Sequence, residues 1–315
     1  MKWFGKRWIG YAVGVLILII LVSKVDLSLL KEVMKGVKAW FLVPLVVLRV
    51  GGILLKAVNV QVLLKAVKQV KIYDVFKYEL VNFVGSAFIP FSASVASVIY
   101  FLKKRDNINA RESVATLFVD KTISFILAVM VVVVGVLKYK GIESQWIMIT
   151  LFGACVIGIF IVFYTKWMEK VMLWMIPKKH ASFFPDVAAH YRLLWNKHKN
   201  LIMINGAITA VSLVANGLIV VAAFKMLSFD IGFIDAFLLT NMVQLATFLH
   251  ITPGGIGVKQ AVGTYLYGLI GIPLTVSVAM YVILEVIRYA LACIFSVTTK
   301  IPMERDNKHE WQEPI

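Results

Sequence analysis

The residues of this chain that are suited to chemistry are cations, a carboxylate and a proline–glycine break, all set in apolar sequence. Cations and free backbone N–H groups bind anions, and a phosphate placed away from water needs donors of both kinds. The expected chemistry is therefore binding of an anion. The candidate binding residues are Arg49, Pro253, Gly254, Gly255, Gly257, Lys259, Glu285 and Arg288.

The proline–glycine break interrupts a long apolar stretch. Phe233–Ile251 precedes it and Ala261–Ile272 follows it, and each is shorter than the roughly 20 residues that a spanning helix needs. Proline lacks an N–H and glycine relaxes the backbone, so a helix is not expected to run through Pro253-Gly254-Gly255. The pattern favours a re-entrant or discontinuous helix, the device that builds substrate sites in transporters. The alternative is an ordinary loop between two short spans.

A break of this kind exposes the N-terminus of the helix that follows it. We expect that helix to begin near Ile256, with Lys259 in its first turn. The first N–H groups of a helix have no partner within the helix, so they can bind an anion beside the lysine. Glu285 and Arg288 are three residues apart and share a helix face, so the carboxylate is expected to orient the guanidinium. A purely structural ion pair is the alternative.

Other charged residues also lie in apolar segments. Arg49 and Lys56 are seven residues apart and share one helix face, although Lys56 and Lys259 can also extend to the membrane surface. Asp120 and Lys121 are adjacent and point about 100° apart, so each is expected to find a partner elsewhere. Glu79, near Lys77, is expected at the interface. Four amides are expected to join helices: Asn82, Asn216, Asn241 and Gln244.

Enzymatic constellations are missing from the sequence. It contains no Asp-x-x-Asp pair, no cysteine–histidine cluster and no Walker A loop. Its two cysteines, Cys155 and Cys293, both lie in apolar stretches and predict neither a disulfide nor a metal site. We therefore expect no catalytic residues, no metal and no cofactor, and we do not expect an enzyme.

Composition places the chain in a membrane. Of 315 residues, 60% are hydrophobic, above the level of soluble domains, and the mean hydropathy is +0.85. The net charge of +16 is explained by basic cytoplasmic loops and attraction to anionic lipid, so nucleic acid is not an expected partner.

Apolar segments predict an all-α polytopic membrane protein with about six full spans and two broken or re-entrant helical hairpins. The hairpins are broken at Pro90 and Pro253, and Lys24–Lys38 is expected to lie in the interface as an amphipathic helix. The first span is expected to remain uncleaved. The expected spans are Trp8–Ser23, Ala39–Leu64, Glu112–Leu137, Trp146–Tyr164, Leu201–Leu227 and Pro273–Thr299.

The two broken segments divide a single membrane domain, residues 1–315, into halves. The first half, 1–140, contains the Pro90 hairpin, and the second, 141–315, contains the Pro253 hairpin. All strong basic clusters fall on one side of the membrane if one hairpin enters from each face. This arrangement predicts an inverted repeat with cytoplasmic N- and C-termini in the plasma membrane.

The segment Thr252-Pro-Gly-Gly-Ile-Gly-Val-Lys-Gln-Ala261 resembles the signature T-P-G-G-x-G-x-R-E-A of the lysylphosphatidylglycerol synthase transmembrane, or flippase-like, family. Asn82-Phe83-Val84-Gly85 with Ile89-Pro90, Asp26-Leu27-Ser28 and the basic span around Lys56 resemble its first half. The chain departs from that signature at Lys259-Gln260, where the family's Arg-Glu carries a carboxylate. Ser92–Ser97 likewise stands where an acidic residue and an arginine are usual.

The resemblance implies a protein that binds or translocates an anionic phospholipid or a polyprenyl-phosphate-linked lipid. The family includes the membrane half of the multiple peptide resistance factor, but this chain has no aminoacyl-transferase half and is not expected to aminoacylate lipid. One alternative is a membrane scaffold or accessory subunit for a separate glycosyltransferase or synthase. A lipid-modifying enzyme with an unrecognised site is the other.

Overall fold

The structure is a computed structural model that describes residues 14, 16–88, 91–140, 183–247 and 257–298. These ranges are almost entirely helical and contain no strand. Residues 16–23 form the described part of a first helix, and a 3-10 turn at Ala39–Phe41 leads into α2. The helices that follow are α1 (Leu27–Lys35), α2 (Leu42–Leu64), α3 (Ile72–Phe88), α4 (Phe91–Asp106), α5 (Ala110–Lys140), α6 (Phe183–Lys197), α7 (Lys199–Met226), α8 (Phe233–Thr247), α9 (Val258–Gly268) and α10 (Leu274–Thr298).

Four of the described helices are long and apolar enough to cross a membrane. They contain Ala39–Leu64, Ala110–Tyr139, Lys199–Met226 and Leu274–Val297. Each coincides with a span expected from the sequence, which confirms a polytopic all-α membrane protein. Trp146–Tyr164 lies outside the described residues, as do residues 8–13 and 15 of the expected span Trp8–Ser23.

The amphipathic segment before α2 forms the short helix α1. Asp26 caps it, because its carboxylate oxygen accepts the backbone N–H groups of Ser28 at 2.9 Å and Leu29 at 3.2 Å. Hydrogen bonding from Ser28 also lowers the pKa of Asp26. Val33 of this helix is buried, and Leu29 and Leu30 pack against the same hydrophobic core, whereas Leu27 and Met34 are exposed.

Helices α2 and α7 pack against each other along their length in opposite directions. At one end, the backbone N–H of Lys38, just before α2, donates to the carbonyl of Met226 at 2.8 Å. At the other end, Asn59 near the end of α2 donates to Thr209 at 2.9 Å, and Asn205 donates to the carbonyl of Asn59. The end of each helix therefore lies beside the start of the other.

The first broken segment is a helical hairpin. Asp106, the last residue of α4, binds two residues at the start of the hairpin: its carbonyl accepts Lys68 Nζ at 2.6 Å, and its carboxylate accepts the Tyr78 hydroxyl at 2.9 Å. Tyr78 also stacks on Phe101 with ring centroids 5.3 Å apart. Helices α3 and α4 thus begin and end on the same side of the protein, although Pro90 itself lies outside the described residues.

The second broken segment has the same form. Helices α8 and α9 pack together, and Tyr267 at the end of α9 meets Phe224 near the end of α7, with ring centroids 5.1 Å apart. Since α8 begins shortly after α7 ends, the outer ends of the second hairpin lie on the side where α7 ends. The outer ends of the first hairpin lie on the side where α2 ends, and α2 is antiparallel to α7. The two hairpins therefore enter from opposite faces.

The two halves exchange contacts in a matching pattern. In the first half, α2 is followed by the α3–α4 hairpin and α5, and in the second half α7 is followed by the α8–α9 hairpin and α10. Helix α5 packs on α8 of the other half, and α10 packs on α3. This reciprocal exchange about the α2–α7 pair is what a two-fold relation between inverted halves produces.

Close helix contacts rely on two glycines in the spans. A Cβ on Gly217 of α7 would lie 3.0 Å from the backbone of Phe237 in α8, and one on Gly135 of α5 would lie 2.9 Å from the sulfur of Met242. Small residues allow this approach in membranes, where tight packing rather than the hydrophobic effect holds helices together.

The hairpin arrangement predicts opposite exposure for two turns. In a background with Cys155→Ser and Cys293→Ser, we expect Asp230→Cys to react with a membrane-impermeant maleimide in intact cells and Asn107→Cys to be protected, because basic loops remain cytoplasmic. After the cells are opened, both cysteines should react. Equal labelling of both turns from outside would contradict entry from opposite faces.

Candidate functional site

A cluster of three cations and one carboxylate lies where α10 contacts both α3 of the first hairpin and α9 of the second. Glu285 of α10 binds Arg288 one turn later at 3.3 Å and Lys259 of α9 at 3.5 Å. Arg288 also donates to the carbonyl of Ser86, near the end of α3, at 2.6 Å. The arginine therefore bridges the inner end of the first hairpin and a span of the second half.

Arg49 of α2 completes this cluster, which we call the cation cluster: Arg49, Lys259, Glu285 and Arg288. Its charge acts on Glu285 and Lys259. The Nε atom of Arg49 is buried and has no hydrogen-bond partner among the residues that the structure describes. An unsatisfied buried donor is costly, because the group has lost its water without replacement. The formal charge of the cluster is +2, so it favours an anion.

The position of Lys259 follows from the start of α9. Gly257 precedes the helix with φ of +83°, a conformation that side chains rarely adopt, and a Cβ there would also collide with the backbone of Gly14. The Gly257 N–H donates to the side-chain oxygen of Gln260 at 2.7 Å. Lys259 then lies in the first turn, with Nζ 5.8 Å from the centre of the Tyr281 ring.

The structure brings together the charged residues that sequence reasoning selected. Arg49, Lys259, Glu285 and Arg288 form one cluster, and Gly257 stands at the start of the helix that carries the lysine. The helix begins at Val258, slightly later than expected. Pro253, Gly254 and Gly255 lie outside the described residues.

A second charged cluster occupies the first half, and we call it the paired cluster: Lys56, Glu79, Asp120 and Lys121. Lys56 Nζ lies 2.7 Å from the carboxylate of Glu79, which also accepts the amide of Asn82 at 2.9 Å. Glu79 is only 2% exposed, so it lies inside the protein rather than on its surface. It turns inward because Lys56 reaches it from α2.

Asp120 is held by more donors than Glu79. One oxygen accepts the amides of Asn59 at 2.8 Å and Asn205 at 3.3 Å, and the other accepts Lys121 at 2.9 Å. Asp120 therefore finds partners on other helices, as expected, but the expectation that Lys121 does so is wrong, because it binds the neighbouring carboxylate. The four-carbon stem of lysine is long enough to bend back to the neighbouring residue.

The two clusters differ in charge. The paired cluster contains two ammonium groups and two carboxylates, so its formal charge is zero. Together with aliphatic side chains of α4 and α5 it lines a cavity of about 200 Å³. Both lysines are partly exposed, whereas both carboxylates are buried behind them.

A polar stripe connects the clusters. Arg49, Lys56 and Asn59 follow one face of α2, and Glu79, Asn82 and Ser86 follow one face of α3. The offset of seven residues from Arg49 to Lys56 corresponds to roughly 10 Å along the helix. The clusters therefore lie at successive depths within the protein.

Sequence reasoning missed the backbone carbonyl of Ser86 and the aromatic ring of Tyr281 beside Lys259. A carbonyl carries no side-chain signal, and Tyr281 was one tyrosine among eleven. The spacing of Glu285 and Tyr281, four residues apart on one helix face, was the available clue. Within the described ranges, His, Cys, Asp and Glu form no group of three suited to a metal ion.

Comparison with known proteins yields one match. A family model described as the lysylphosphatidylglycerol synthase TM region matches residues 7–296. No curated protein matches the chain. No solved structure matches it either.

Contact between α9 and α10 holds Lys259 near Glu285, and one glycine permits it. A Cβ on Gly263 would overlap the hydroxyl of Tyr281, whereas Gly268 in the same helix has open space. We expect Gly263→Ala to destabilise the protein by about 1–3 kcal/mol through overpacking. In thermal unfolding in detergent, the midpoint temperature should fall clearly for Gly263→Ala and should not change for Gly268→Ala. Matching midpoints for the two variants would contradict the close contact.

Proposed function

We propose a lipid-binding function for this chain, which belongs to the lysylphosphatidylglycerol synthase transmembrane family. The proposed ligand is an anionic lipid, either a phospholipid or a polyprenyl-phosphate-linked lipid, whose phosphate binds the cation cluster. The observation that carries the proposal is the excess of cations over carboxylate there, together with the unpartnered Nε of Arg49.

Charge balance supports an anionic ligand. Three cations within a membrane protein are costly unless anions accompany them, and Glu285 supplies only one negative charge. A phosphate would supply the missing charge and acceptors for arginine and lysine donors. The N-terminus of α9 adds a positive helix end at the same point.

The source of the cluster residues supports translocation. Arg49 belongs to a span of the first half, Arg288 contacts the first hairpin, and Lys259 belongs to the second hairpin. Relative movement of the halves would therefore change the site from two sides, the geometry by which inverted repeats alternate access. We propose that the activity is transfer of the headgroup across the membrane without covalent chemistry.

The proposed location is the cytoplasmic membrane, with N- and C-termini cytoplasmic. A separate glycosyltransferase or synthase that makes or uses the lipid is a proposed partner. If the protein acts only as a scaffold for such an enzyme, the cation cluster would be structural. The protein would then bind anionic lipid no more tightly than zwitterionic lipid.

The proposal predicts the direction of three variants. Arg49→Gln and Lys259→Gln should weaken binding of anionic lipid by roughly tenfold, because each removes a charge-assisted donor. Glu285→Gln should strengthen the preference for anionic lipid, because it removes the one competing carboxylate. Native mass spectrometry of purified variants with phosphatidylglycerol and phosphatidylcholine measures this preference.

Lys225→Gln is the matched control. It removes the same charge as Lys259→Gln, but Lys225 is exposed at the end of α7. It should bind like the unaltered chain. A common loss of binding in all three cluster variants would indicate a structural role. An unaltered chain with no preference for anionic lipid would overturn the proposed function.

A further inference from the structure

Glu79 is a buried carboxylate whose neutralisation depends on one movable group. Its side chain is 1% exposed, whereas that of Lys56, its ion-pair partner, is 38% exposed and lines the cavity. Lysine is flexible and changes partners readily. The other donor to Glu79 is the neutral amide of Asn82. If Lys56 turned away, Glu79 would be left with no ion-pair partner.

Asp120 is by contrast a buried carboxylate that does not depend on one movable partner. It keeps three donors from three helices, namely Asn59, Asn205 and Lys121. Lys121 is directed to Asp120 at 2.9 Å, although its charge also acts on Glu79. Lys121 thus lowers the cost of an isolated Glu79 charge but does not replace Lys56.

Lys56 is placed to serve the anion site as well as Glu79. It shares a face of α2 with Arg49, roughly 10 Å apart along the helix. A headgroup that leaves the cation cluster along the polar stripe therefore reaches the ammonium of Lys56. That ammonium can bind the phosphate or Glu79, and the two acceptors compete for it.

The remaining charges near Glu79 do not substitute for Lys56. On α10, Glu285 and Arg288 bind each other, and Arg288 also binds Ser86. On α3 itself, the charged groups are Asp74 and Lys77, near the start of the helix. The charges of α4 are at its end, where Asp106 binds Tyr78: Lys103, Lys104, Arg105 and Asp106.

We propose that Glu79 is a proton-binding site coupled to the anionic lipid, and this rests on the proposed function. The phosphate binds the ammonium of Lys56, and the freed carboxylate of Glu79 then takes up one proton from the bulk solvent. One negative charge and one proton enter together, so the site gains no net charge. A neutral carboxyl group avoids the large cost of an unpaired buried charge. Release of the lipid returns Lys56 to Glu79 and expels the proton.

Coupling of this kind makes lipid affinity depend on pH. If binding takes up one proton, affinity falls by about tenfold per pH unit where the free carboxylate is ionised. We expect short-chain phosphatidylglycerol to bind the purified protein more tightly at about pH 5.5 than at about pH 8. The phosphodiester keeps one negative charge throughout, so the change reports on the protein.

Glu79→Gln is the decisive variant, because it mimics the protonated state. It should bind phosphatidylglycerol at high pH at least as tightly as the unaltered chain does at low pH, and its affinity should be flat with pH. Glu79→Asp should retain a pH dependence. Glu112→Gln, an equivalent change near the start of α5, should behave like the unaltered chain. Thermal unfolding identifies any variant that fails to fold.

Two outcomes separate this inference from the proposed function. If the unaltered chain prefers phosphatidylglycerol to phosphatidylcholine but Glu79→Gln keeps the full pH dependence, Glu79 is not the proton site and the lipid site remains. Weaker binding of phosphatidylglycerol by a folded Glu79→Gln variant would also overturn the proposal that Lys56 moves from Glu79 to the phosphate. Absence of any preference for anionic lipid in the unaltered chain would overturn both.

Discussion

The antiparallel contact between α2 and α7 is the constraint on which the rest of the structure depends. Because each helix ends beside the start of the other, the hairpins that follow them enter from opposite faces. The same contact lets α5 and α10 cross to the opposite half. Asn59, Asn205 and Thr209 link the two helices, and Asn59 and Asn205 also bind Asp120, so one polar network both joins the halves and holds a buried carboxylate.

The cation cluster and the paired cluster differ in how far their charges are balanced. Around Glu285, cations exceed carboxylates and a donor of Arg49 is unsatisfied, whereas around Glu79 and Asp120 the charges cancel. Buried charges persist only with partners, so the first region favours an anionic ligand and the second already has its counter-charges. Helix α2 contributes a cation to each region, Arg49 to one and Lys56 to the other.

Family membership and geometry support different parts of the functional proposal. The match over residues 7–296 establishes the family, and the helical membrane fold agrees with it. The choice of an anionic lipid comes from the side chains of the cation cluster. Gln260 illustrates why both are needed: where the family signature has a carboxylate, the neutral amide accepts the N–H of Gly257 and leaves the charge of Lys259 uncompensated on that helix.

The sequence by itself determined the membrane class and the four described spans, because apolar length is a local property. It also singled out the charged residues Arg49, Lys259, Glu285 and Arg288, but only the packing of α2, α9 and α10 brought them together. Spacing also predicted that Glu285 orients Arg288. Only the tertiary structure decided the partners that come from other helices. Glu79 was expected at the interface because Lys77 was its visible neighbour, yet Lys56 draws it inward from α2. Lys121 returns to Asp120 because the surrounding amides fix that carboxylate, and Arg288 binds a carbonyl of α3. Contacts between distant segments depend on how the halves pack, and no local spacing contains that information.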